Sequence, residues 1–105
     1  MNENLVNEVP GRLSAAAIRR VVAAHESEVR GCYAHEATSA PSLQGALVVS
    51  WEVMIDGTVL APMVTRATFD DPPLEQCVLN RLRTWRFPVS ESQTFVDAVR
   101  FEFPQ

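Results

Sequence analysis

The sequence predicts an α+β domain in the order α-β-β-α-β, with two helices packed on one face of a three-stranded antiparallel sheet. Three patterns carry that expectation. Apolar residues recur at spacings of three and four between Ala15 and Ala34. Alternating runs open at Gly45 and again after Gln93. A second helical stripe lies between Leu74 and Trp85.

The first helix follows Ser14, a residue suited to N-capping, and three alanines that favour helix. Ile18, Val21, Val22, His25, Val29, Cys32 and Tyr33 then share one face, so a helix over residues 15–34 buries that stripe. Residues 36–44 read as a loop. In the first strand Leu47, Val49, Trp51 and Val53 alternate with Val48, Ser50, Glu52 and Met54. Asp56-Gly57 signals a hairpin, since Gly accepts positive φ and Asp tolerates the left-handed region. The second strand, residues 58–68, contains Pro62, which has no N–H for a ladder and so belongs at a bulge or an outward position near an edge.

Asp70-Asp71-Pro72-Pro73 is a helix start, with a carboxylate cap and proline where no N–H is missed. Leu74, Cys77, Val78, Leu82 and Trp85 form the apolar face of the second helix, and Phe87-Pro88 ends it. In the third strand Phe95, Val99, Phe101 and Phe103 are expected on one face, and Val96, Ala98, Arg100 and Glu102 on the other. Residues 1–12 are polar and end in Pro10-Gly11, so they read as a tether, leaving 13–105 as the folded domain.

Composition excludes several classes. The chain of 105 residues is 47% hydrophobic, enough for one core. No run is long and apolar enough to span a bilayer, and the start lacks a basic and apolar leader, so an export signal would have to lie upstream. A net charge of −4 with nine scattered arginines and no lysine argues against nucleic acid as partner. There is no glycine-rich phosphate loop, no G-x-S-x-G and no H-E-x-x-H, and no cofactor is expected.

Cys32 and Cys77 sit on the apolar stripes of the two helices, so packing those helices on one sheet face brings the thiols near each other. Three readings follow: a structural disulfide, which needs an oxidising compartment; two buried thiols acting as small hydrophobes; or a metal or catalytic site with His25 and His35. The first is preferred, because the His and Cys spacings are not those of a zinc site. His25 lies seven residues from Cys32 along a helix, about 10 Å, too far for direct proton transfer. Trp51 and Trp85 are expected in the core, and Asp70-Asp71 as a cap.

The run Gly45-x-Leu47-x-Val49-x-Trp51-x-Val53, then Asp56-Gly57-x-Val59 and Trp85-Arg86-Phe87-Pro88, resembles the TonB C-terminal family. Ile18-Arg19-Arg20-Val21-Val22, His25, Arg30-Gly31-Cys32-Tyr33, Thr68, Pro72 and Glu75-Gln76-Cys77-Val78 look like its AgmX/PglI C-terminal branch, found chiefly in myxobacteria. Departures from that pattern are Val99-Arg100 in place of Tyr-Pro, Pro62 within a strand, and Asp70-Asp71 at a turn.

The resemblance, over about residues 13–103, implies a non-catalytic periplasmic domain of a protein anchored in the inner membrane, in an envelope-spanning or gliding-motility machine. It also implies a partner peptide from an outer-membrane or periplasmic protein, added as a strand along Thr94, Phe95, Val96, Asp97, Ala98, Val99, Arg100, Phe101 and Glu102. Two other readings are a small redox- or metal-dependent enzyme built on the Cys/His set, and a structural cap that self-associates through the same strand edge.

Overall fold

A computed structural model describes residues 11–104. The order is α1 (Ala15–Ala37), β1 (Gly45–Val53), β2 (Val59–Ala67), α2 (Pro72–Leu82) and β3 (Thr94–Phe103). The three strands form one antiparallel sheet in the spatial order β2-β1-β3. The fold class is the α+β arrangement read from the sequence.

α1 begins where the Ser14 hydroxyl accepts from the Ala17 N–H at 3.1 Å, meeting one of the donors that a helix start leaves without a partner. It runs one turn past the expected end, because nothing between Ala34 and Ala37 breaks helical geometry and Thr38 supplies the cap. Ile18, Val22, Val29 and Cys32 are buried on its inner face.

α2 starts at the anticipated cap: the Asp71 carboxylate accepts from the Leu74 N–H at 3.0 Å. It stops at Leu82, so Trp85 lies beyond the helix rather than on it. There the chain turns, with the Trp85 N–H donating to the Leu82 carbonyl. This places the Trp85 and Phe87 side chains beside Trp51, at centroid separations of 6.1 Å each.

The hairpin between β1 and β2 uses positive φ at Gly57 alone, not at Asp56. Asp56 instead accepts from the Thr58 N–H and hydroxyl. The Gly57 carbonyl accepts from the Phe87 N–H at 2.9 Å, and a Cβ at Gly57 would stand 2.0 Å from the Phe87 carbonyl oxygen. Glycine is therefore required twice over, for its φ of +88° and for the close passage of the Trp85–Pro88 segment.

Leu47, Val49, Trp51 and Val53 of β1 face the helices with Val96, Val99, Phe101 and Phe103 of β3. The tether expected over residues 1–12 lies outside the described residues up to Pro10. Gly11 is packed: its carbonyl accepts from the Glu91 and Ser92 N–H groups, and the Leu13 N–H donates to Thr94 Oγ1 at 3.1 Å.

Candidate partner-binding edge

β1 is central, so β2 and β3 each have one side without a strand neighbour among the described residues. The two edges differ. β2 carries two irregularities against β1, at Val48/Val49 and Ser50/Glu52, and the second contains Ala61 at φ +53° followed by Pro62. Pro62 is thus at a bulge, one of the positions the sequence allowed. Bulges and proline blunt an edge, by bending it and removing a donor. β3 holds ten residues with no proline and one irregularity.

That irregularity corrects the expected phase of β3. Between the pairs Val49↔Val99 and Trp51↔Val96, Asp97 and Ala98 together oppose Ser50, with Ala98 at φ +59°. The extra residue flips the alternation upstream of it. Phe95, expected on the same face as Val99, is instead 52% exposed, while Val96 is fully buried. Of the nine anticipated edge residues, Thr94, Val96, Val99 and Phe101 point into the core and Phe95, Asp97, Ala98, Arg100 and Glu102 are exposed. What β3 can offer a strand is backbone, flanked by those five side chains.

By alternation alone Ser50 is simply an outward residue of β1. It is 1% exposed and fills the bulge: its hydroxyl donates to Asp97 Oδ1 at 3.1 Å and accepts from the Ala98 N–H at 3.2 Å. The available signal is a lone hydroxyl set between the apolar neighbours Val49 and Trp51. Arg100 and Glu102 form an ion pair at 2.6 Å along the exposed side of β3.

The cysteines are joined. Cys32 and Cys77 form a disulfide with Cα atoms 5.8 Å apart, tying α1 to α2. The bond lines a shallow cleft of about 540 Å³ shared with Glu28, Gly31, His35 and Arg81. His35 therefore comes near the cysteines and His25 does not. His25 stacks on Trp85 at 4.8 Å, and its Nδ1 lies 2.7 Å from Glu28 Oε2. The other carboxylate oxygen of Glu28 accepts from Trp85 Nε1 at 3.1 Å. Those bonds hold the Glu28 carboxyl below its ordinary range, the His25 contact contributing most. Glu28 thus clamps α1 to the segment after α2. No group of three or more His, Cys, Asp and Glu side chains arranged for a metal occurs among the described residues.

No protein-family model matches the chain, and no curated protein matches it. Among solved structures it is similar to the solution structure of the Helicobacter pylori TonB C-terminal domain, residues 179–285. Identity is 12% and the TM-score 0.49, over 92% of this chain and 95% of that one. No helix among the described residues is long and apolar enough to cross a membrane.

Proposed function

We propose that the chain is a non-catalytic, TonB-like interaction domain that binds a partner peptide by strand addition along the outer edge of β3, Thr94–Glu102. The observation that carries this reading is the asymmetry of the two edges. β2 is blunted by Pro62 and two bulges, whereas β3 offers ten proline-free residues on its outer side. A strand there completes backbone donors and acceptors, the source of affinity in this mode, while the exposed β3 side chains select the sequence.

The finer reading is a periplasmic domain of the AgmX/PglI type, in an inner-membrane-anchored protein of an envelope-spanning or gliding-motility machine. It draws support from the Trp85-Arg86-Phe87-Pro88 pattern and from the disulfide, which persists in oxidising compartments. The partner is then a segment of an outer-membrane or periplasmic protein. Titrating the isotope-labelled domain with extended envelope peptides tests the docking surface. Amides of residues 94–103 are expected to shift; shifts confined to α1 would refute it. Concentration-dependent dimers that peptide does not dissociate would instead favour self-association through this edge.

A further inference from the structure

The two sulfurs of the disulfide differ in access. Cys32 is 4% exposed, whereas Cys77 is half-buried. Cys77 also lines two clefts. One, of about 540 Å³, is shared with Cys32, Glu28, His35 and Arg81. The other, of about 480 Å³, lies on α2 alone, between Pro73, Gln76, Asn80 and Arg81. Cys32 takes no part in it, so a thiolate entering there reaches Cys77 and not Cys32.

We propose that Cys77 is a thiol–disulfide exchange site for a dithiol protein, attacked from the α2 cleft, with Cys32 as the leaving group. Exchange depends on which sulfur is attacked and on access to it. The attacking species is the anionic thiolate, and Arg81 is the one charged side chain lining the α2 cleft. A cation there favours the arrival of an anion. Gln76 and Asn80, bonded to each other at 2.9 Å, bring no charge against it. The carboxylate that Arg81 faces, Glu28, belongs to the other cleft and is already held by His25 and Trp85.

The step balances. The electron pair of the thiolate forms a bond to Cys77 Sγ. The Cys32–Cys77 bond breaks, and its pair leaves on Cys32 Sγ, which takes a proton from His35 or solvent in the shared cleft. The second thiolate of the dithiol then attacks the reductant's own sulfur in the mixed disulfide and releases Cys77. Two protein thiols form and the dithiol becomes a disulfide.

Opening unties α1 from α2 and leaves the rest of the fold held. Glu28 still joins His25 to Trp85, and β1 keeps both of its neighbours. The site thus makes the staple between the helices removable in the folded chain.

The test exposes the whole chain, without denaturant, to mercaptoethanesulfonate or to cysteamine at equal thiolate concentration. Released thiols are capped with iodoacetamide at intervals and mapped by mass spectrometry. The adduct is expected on Cys77 and the cap on Cys32, by at least about tenfold over the reverse. The anionic thiol should react about fivefold faster than the cationic one. Arg81→Gln should remove that preference, and Arg66→Gln, on β2, should keep it. An adduct chiefly on Cys32, equal rates for the two thiols, or a preference that survives Arg81→Gln would overturn the proposal. So would opening that waits for denaturant, since the bond would then exchange only in the unfolded chain. A reduced chain that loses its β1 and β3 methyl signals would contradict release of the helix tie alone.

Discussion

Ser50 of β1 holds Ala98 of β3 through a side chain: its hydroxyl takes the Ala98 N–H at 3.2 Å while donating to Asp97 at 3.1 Å. The bulge at Asp97-Ala98 decides which β3 side chains line the exposed edge, so this hydroxyl sets the pattern a partner strand would read. Replacing it leaves the Ala98 N–H, in a partly buried bond, without its partner. Ser50→Ala is expected to cost about 1–2 kcal/mol in denaturant unfolding, with faster amide exchange at Ala98 and its neighbours than in β2.

The disulfide spans a sequence separation of 45. In the chain-entropy account a closed loop of that size stabilises by about 4 kcal/mol. The double substitution Cys32→Ser with Cys77→Ser should therefore lower unfolding free energy by that order, with the sheet register intact. Unfolding curves and a backbone amide spectrum of the variant check both parts.

Glu28 is held below its ordinary value, 4.5, chiefly by His25. A carboxyl depressed on folding contributes stability that is present above its unfolded pKa and lost as pH falls through the folded one. Glu28→Gln should lower the melting temperature at pH 7, and its difference from the parent chain should shrink as pH drops below about 4. Melting curves across pH 3–7 show whether the two lines converge.

Glu36 shows the opposite sign. Its carboxyl is hydrogen-bonded to that of Asp71, the cap of α2, which raises its pKa. A raised carboxyl stabilises below its unfolded pKa, and that contribution is lost as pH rises through the folded value. At pH 7 two like charges then face each other where α1 ends and α2 begins. Glu36→Gln is expected to raise the melting temperature at pH 7 and to give no gain at pH 3.

Much of this was legible because periodicity reports burial. The α1 stripe, the Leu47–Val53 alternation and the Asp71 cap each follow from one-dimensional spacing, and the structure places them so. Cysteines on two inward helix faces foretold the Cys32–Cys77 pairing, although the sequence alone left free thiols and a metal site open.

Part of what was hidden depends on a single inserted residue. Ala98 has no local signature for φ +59°, so the reversal of Phe95 and Val96 could not be read from alternation. Trp85 fits the α2 stripe by spacing, yet the hydrogen bond from its N–H to Leu82 and the pull of the Trp51 cluster take it off the helix. The clamp of Glu28 on His25 and Trp85 joins residues 57 positions apart in chain order, which no local pattern encodes.

Amide hydrogen exchange in the full chain, with and without a saturating extended partner peptide, reaches the central claim most directly. Strand addition predicts that outward-facing N–H groups within residues 94–103 slow by at least about tenfold, as newly bonded amides do, while residues 59–67 keep their rates. Protection appearing along β2 instead, or a bound peptide that leaves every β3 amide unchanged, would contradict it.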